Sequence, residues 1–154
     1  KILLVFLRYS GCPWCNLAIH RLAVEYPLLK KQGCEVIAFI QSDEAAIKKN
    51  IYGRHAKKPG FPIIADPTRK VYEKYGIVDS KAAFVKSITK IPTWVHAVRA
   101  HGFRQQKLDG SLFLVPASFL IDGRSSEILI AQYASSFYEH ETFTGIYEAL
   151  TFQS

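Results

Sequence analysis

Apolar and polar positions along the chain follow two rhythms. Residues 2–9, ILLVFLRY, form a continuous apolar run rich in strand formers, which predicts a strand buried on both faces. From Cys12 to Gln32 the spacing changes: Leu17, Leu22, Val24, Leu28 and Leu29 recur at near-helical intervals, and Gly33 is a natural stop. Pro27 lies inside that span and removes one backbone hydrogen bond, so a kink or a break is expected there. CEVIAFIQ at 34–41 predicts a second buried strand, after which Ser42 or Asp43 can cap a helix over 43–56. Pro59, Gly60 and Pro62 mark a loop, and FPIIA predicts a short strand. DPTRKVYEKYGI then supplies Asp66 as N-cap, Pro67 at the first helical position and Gly76 as stop.

Residues 80–107 differ in character. Phe84, Ile88, Ile91, Val95 and Val98 keep a spacing of four, three, four and three, while Lys81, Lys86, Lys90 and Arg99 fall largely elsewhere. With Pro92 as an interruption, this predicts a pair of helices over the core; a basic amphipathic surface for a partner or a membrane is the alternative. SLFLVPASFLID at 111–122 predicts a strand broken at Pro116, GRSS a turn, EILIAQYAS a returning strand and ETFTGIYEAL a last helix. This order describes an α/β sandwich. No repeat or boundary is visible, so residues 1–154 are expected to form one domain with 80–107 as a helical insertion.

A chain of 154 residues buries roughly two-thirds of its unfolded surface and needs no staple. Its 49% hydrophobic and 21% charged content fits a soluble globular protein, and no apolar run reaches the roughly 20 residues of a membrane span. The first apolar stretch ends in Arg8 with no small-residue cleavage site, so it reads as core rather than signal peptide. The net charge of +7 is spread over many segments without a nucleic-acid-binding motif, which favours solvated faces over a nucleic-acid partner. Three cysteines, an odd number, argue against a disulfide framework and for a reducing, cytoplasmic setting, with a periplasmic one left open. No methionine occurs, even at the start, which suggests a processed fragment or, preferably, a chain from which methionines are missing.

The candidate chemistry lies in RYSGCPWCNLAIH, residues 8–20. A Cys-x-x-Cys pair between a buried strand and a helix is a redox signal. Cys12 sits at the helix start, where unpaired N–H groups and the helix dipole favour a thiolate over a thiol. Cys15, one turn later, is placed to attack a mixed disulfide formed on Cys12. Pro13 suits the first turn, and Trp14 would shape the approach to the sulfurs. Besides a pair of structural cysteines simply buried in a helix, two alternatives stand beside this reading. A zinc or copper site could use Cys12, Cys15 and a distant histidine, although no second ligand pair accompanies them. A non-catalytic interaction module is the other. Cys34 reads as a buried, inert thiol with a resolving role as the minority option, and His20 as a packed or solvent-facing imidazole.

With these residues in view, VFLRYSGCPWCNLAIHRL, FPIIADPTRKVYEKYGI, LVPASFLIDG and EILIAQYAS together resemble the thioredoxin-fold superfamily, and within it the peroxiredoxin-like AhpC/TSA proteins carrying Cys-x-x-Cys. The resemblance implies a thioredoxin-like fold, a central mixed sheet flanked by helices with a helical insertion before the cis-proline strand. It makes Pro116 that cis-proline, facing the thiol pair, with Val115 offering backbone hydrogen bonds to substrate. Cys12 would attack peroxide or a substrate disulfide, Cys15 would resolve the product, and Arg8 would lend positive charge to the thiolate. The implied partners are that substrate and an external thiol reductant, with no cofactor, no metal and no membrane, and with a homodimer among the oligomeric options. The sequence departs from the peroxiredoxin pattern three residues before the first cysteine, where Tyr9 replaces threonine, and four before that, where Val5 replaces proline.

Overall fold

The computed structural model describes residues 1–88, 95, 98–136, 146 and 149–150. Five strands, β1 (Ile2–Phe6), β2 (Glu35–Ile40), β3 (Ile63–Ala65), β4 (Ala117–Ile121) and β5 (Ile128–Tyr133), form one mixed sheet in the order β3-β2-β1-β4-β5. The central strand β1 runs parallel to β2 and antiparallel to β4, with Phe6 opposite both Phe39 and Ala117. Parallel neighbours need a long crossover, which the helix α1 (Pro13–Lys31) provides between β1 and β2.

Both faces of β1 are covered, as its uninterrupted apolar run requires. Leu3, Val5 and Leu7 join a core that contains Ile19, Leu22 and Leu29 of α1. Leu4 and Phe6, pointing the other way, join Phe39, Tyr72 and Phe119. Phe6 stacks on Phe39 with ring centroids 4.7 Å apart and meets Tyr72 and Phe119 edge-on. The Tyr72 hydroxyl lies 2.6 Å from the Leu7 carbonyl and 2.8 Å from that of Phe39, so its hydrogen ties the short helix α3 (Lys70–Lys74) to the carboxyl end of β1. The candidate thiols follow from that end.

Several elements depart from the pattern-based expectation. Pro27 does not break α1: burial of Leu22, Tyr26 and Leu29 outweighs one lost backbone bond. The expected helix over 43–56 is a four-residue α2 (Glu44–Ile47), capped by Asp43, continuing into a π-helical turn, Lys48–Tyr52. Pro67 is not the first residue of α3. The Arg69 N–H bonds back to the Asp66 carbonyl, closing a turn, and the Asp66 carboxylate reaches across it to accept from the N–H groups of Lys70 and Val71. Arg69 takes the left-handed conformation, φ 60°, to enter the helix. Gly33 and Gly76 stop their helices with φ of 73° and 66°.

In the expected insertion, α4 (Lys81–Ile88) is helical, as are residues 95 and 98–100, but the chain from Phe103 to Asp109 has no regular secondary structure. Residues 89–94, 96 and 97, with Pro92, lie outside the described residues, as do most of the expected last helix and two of the five histidines, His96 and His140. The Val115–Pro116 peptide is trans, since no described peptide bond is cis, which corrects the cis-proline expectation. Leu114, bridged to Asp79, leads into β4, and the Pro116 carbonyl accepts from the Ala134 N–H beside β5, so the chain is held by β-type pairing on both sides of this peptide.

Candidate active site

After β1 the chain turns sharply into α1. The Cys12 N–H bonds to the Tyr9 carbonyl, and Cys12 becomes the N-cap of the helix, with Pro13 in the first turn, where its missing N–H costs nothing. The cap acceptor is sulfur: Cys12 Sγ takes the Cys15 N–H at 3.4 Å. Arg8 Nη2 donates to the same sulfur at 2.9 Å, while Nη1 donates to the Leu112 carbonyl at 3.2 Å. Both cysteines are wholly buried, and Arg8 is 2% exposed. A buried guanidinium beside a buried sulfur favours the charged, thiolate form of that sulfur.

The titration behaviour follows from this arrangement. Burial alone pushes the Cys12 thiol up, but the hydrogen bond with the Cys15 side chain, the Arg8 charge and the N–H groups of Cys15 and Trp14 outweigh it and bring it down to about 6. Cys15 moves the other way, held well above the ordinary thiol range by burial and by the hydrogen bond and charge of its neighbour. Cys12 is therefore the thiolate of the pair at neutral pH and Cys15 the proton-bearing thiol. Tyr9 is raised to about 12, by burial and then by Cys12, and stays a neutral phenol. It donates to Gln105 Oε1 at 3.1 Å.

The segment 105–112 lies against this turn. The Gln106 N–H donates to the Gly11 carbonyl at 2.9 Å, and the Ser111 N–H to Gln41 Oε1, also at 2.9 Å. Its approach to Gly11 is so close that a Cβ there would sit 2.6 Å from the Lys107 carbonyl oxygen. The sulfur at the helix start is therefore closed off from solvent, with this segment and Arg8 packed against the turn.

Of the residues expected at the site, the structure joins Arg8 to Cys12 and Cys15 directly. Pro13 and Trp14 line a cleft of about 630 Å³ together with Val98, Arg99, Phe103 and Arg104. Val115 lines a different cleft, of about 380 Å³, with Gly76, Val78 and Tyr133. The carbonyl that reaches the site through Arg8 is that of Leu112, and Pro116 is buried and trans. Cys34 is buried just before β2, its thiol raised by burial. His20 is partly exposed and faces the His101 ring at 4.5 Å between centroids. Among the described residues, no group of three or more His, Cys, Asp or Glu is placed to hold a metal ion, and no helix is long and apolar enough to cross a membrane.

Sequence reasoning misses the polar residues behind the turn: Ser10, Asn16, Ser42, Asn50 and His55, each 6% exposed or less. Asn16 was legible as an asparagine in a first helical turn, a residue that often bonds to nearby backbone there. Nothing in the spacing joins Ser42, Asn50 or His55 to it.

Comparison with known proteins agrees with this architecture. The AhpC/TSA family model matches residues 1–126. No curated protein sequence matches the chain. Among solved structures, a cysteine-to-serine mutant of peroxiredoxin 6 from Arenicola marina superposes with a TM-score of 0.69 at 18% identity, covering 97% of this chain and 59% of that one. Peroxiredoxin Q from Xanthomonas campestris gives 0.66 at 12% identity, covering 99% of this chain and 78% of its own. A yeast mitochondrial 1-Cys peroxiredoxin gives 0.64 at 19% identity, covering 97% and 62%. The chain thus spans less than two-thirds of the first and last of these relatives. A mixed sheet with β1 at its centre, a thiol at the N-cap of the helix that follows, and a family match over residues 1–126 place this chain in the AhpC/TSA family, with a thioredoxin-like, peroxiredoxin-like fold.

Proposed function

We propose that this chain is a thiol peroxidase that works through the Cys12/Cys15 dithiol. The observation that carries the reading is the Cys12 sulfur, which caps α1 and accepts from Arg8 Nη2 at 2.9 Å, and so is held as a thiolate at neutral pH. In the first step that thiolate attacks one peroxide oxygen; the S–O bond forms, the O–O bond breaks, and the departing alkoxide or hydroxide takes a proton from water. Cys12 is left as a sulfenic acid. Cys15, a neutral thiol, then attacks the Cys12 sulfur, the S–O bond breaks, water leaves with the thiol's proton, and a Cys12–Cys15 disulfide remains. An external dithiol reduces it, becoming a disulfide itself. Arg8 stays protonated throughout and stabilises negative charge on sulfur and on the oxygen that leaves.

Burial favours a peroxide over a protein disulfide as oxidant: neither sulfur has exposed surface, and a small molecule needs a far smaller opening than a polypeptide segment. The test is single turnover of reduced protein with one equivalent of hydrogen peroxide or an alkyl hydroperoxide, followed by thiol counting and intact mass. The wild-type chain is expected to lose two thiols and form the disulfide, and Cys15→Ser to stop at a Cys12 sulfenic acid that dimedone traps. Cys12→Ser should consume no peroxide; consumption at the wild-type rate would overturn the assignment.

A further inference from the structure

Behind the thiol turn, and apart from the sulfurs, five buried polar side chains are joined in one network. Asn16 Nδ2 donates to the Ser10 carbonyl at 2.7 Å and to the Cys12 carbonyl at 2.9 Å, so both its amide hydrogens are spent on the turn. Asn50 Nδ2 donates to Ser10 Oγ at 3.0 Å, and the Ser10 N–H donates to Ser42 Oγ at 2.7 Å. Every polar atom of Ser10, two residues before Cys12, is thereby held.

The amide orientation of Asn16 is dictated rather than chosen, because two carbonyl oxygens can face only its NH₂ group. Its Oδ1 is then an acceptor, and His55 Nε2, 2.8 Å away, must be the donor. The neutral imidazole therefore carries its hydrogen on Nε2. Nδ1 is a bare lone pair, buried without a hydrogen-bond partner among the described residues, and the ring lies 4.9 Å from that of Phe103 and 6.5 Å from that of His20 between centroids. Burial, followed by the charges of His20, Arg54 and Lys58, holds His55 down at about 4, so it stays neutral where a thiolate works. The π-helical turn, Lys48–Tyr52, contains Asn50, and its Ile51 carbonyl accepts the His55 N–H. Such turns insert an extra residue and re-aim the side chains that follow, and they recur at functional sites.

We propose that Asn16 and His55 are positioning residues for Cys12: His55 fixes the Asn16 side chain, and Asn16 clamps the carbonyls of Ser10 and Cys12 so that Arg8 and the first N–H groups of α1 stay aimed at the Cys12 sulfur. This extends the thiol peroxidase reading to residues that never touch the peroxide. Without the Nε2 donor, Asn16 Oδ1 is left buried without its partner, and the side chain loses the anchor that holds it against the two carbonyls.

The test is the thiolate titration of the reduced protein, followed by absorbance near 240 nm with Cys12→Ser as the blank, alongside thermal unfolding. His55→Phe fills the site without a donor, and His55→Gln returns an amide N–H close to the Nε2 position. The expected result is a Cys12 midpoint raised by about one pH unit or more in His55→Phe, a matching fall of several-fold in iodoacetamide reactivity at pH 6.5, and recovery of most of both in His55→Gln. If His55→Phe does not fold, Asn16→Ser, which keeps one donor, is read in the same way and should raise the midpoint. A folded His55→Phe or Asn16→Ser with the wild-type midpoint would overturn the proposal, whatever its melting temperature. The titration contains no peroxide, so a native protein that titrates as described yet consumes no peroxide would refute the proposed function alone.

Discussion

Replacing Arg8 by methionine keeps the length and apolar body of the side chain but removes the charge and every N–H donor. In the native site Nη2 is 2.9 Å from Cys12 Sγ and both groups are buried, so the lost interaction is a charge-assisted hydrogen bond out of contact with water. Such bonds contribute about 1.5–3 kcal/mol, equivalent to a rise of roughly 1–2 pH units in the thiol midpoint. From a value of about 6, the variant should titrate near 7–8, which lowers the thiolate fraction at pH 7 from about nine-tenths to between one-half and one-tenth. The peroxide rate constant should fall at least in proportion and recover partly at pH 9, where the thiolate is restored but the charge near the leaving oxygen is not. Arg8→Lys separates charge from geometry: a point charge keeps some of the shift but cannot also hold the Leu112 carbonyl through a second nitrogen. The assay is the 240 nm titration paired with stopped-flow peroxide oxidation across pH 5–9. An Arg8→Met midpoint equal to the wild-type one would show that the helix N–H groups alone ionise Cys12, and the electrostatic account of the site would be wrong.

Three further outcomes follow from the same geometry. Gly11→Ala sets a methyl 2.6 Å from the Lys107 carbonyl, so the 105–112 segment must move; the variant should lose about 1–3 kcal/mol in urea unfolding while its Cys12 alkylates faster with bulky reagents, and an unchanged alkylation rate would mean that this segment does not limit access. Because the folded Cys12 value lies below that of an unfolded thiol, about 8.5, its contribution to stability is complete above the unfolded value and disappears as pH falls through about 6. The reduced wild type should therefore gain on Cys12→Ser by about 2–3 kcal/mol between pH 6 and pH 8, and a flat difference in denaturant midpoints would contradict the thiolate assignment; Cys15, shifted upward, opposes this only above the ordinary thiol range. Tyr72→Phe removes the hydroxyl shared by the Leu7 and Phe39 carbonyls and should cost about 1–2 kcal/mol, measured by thermal unfolding.

What the sequence discloses about this protein is what lies close together in it. Cys12, Cys15 and Arg8 fall within eight residues, so the strand, turn and helix that carry them also bring them into contact. The β1 run and the α1 periodicity survive into the structure because both elements are long enough for one burial pattern to dominate. Asp66 shows the opposite case: its carboxylate does cap, but across a turn rather than at the first helical residue, and local propensity cannot distinguish the two. His55 and Asn50 reach Ser10 and Asn16 from about 40 residues away through a π-helical turn that no periodicity announces. Closure over Cys12 was equally hidden, since it depends on where a coil segment with no pattern of its own comes to rest.

The turn that bears Cys12 grows out of the middle strand of the sheet, with side chains packed above and below it and a neighbouring strand on either side. Its dipoles are thus set beside the packed core, and the work of orienting them is completed when the chain folds. On the proposed function an arriving peroxide would meet a field already in place, with little of the activation barrier going into solvent or backbone reorganisation.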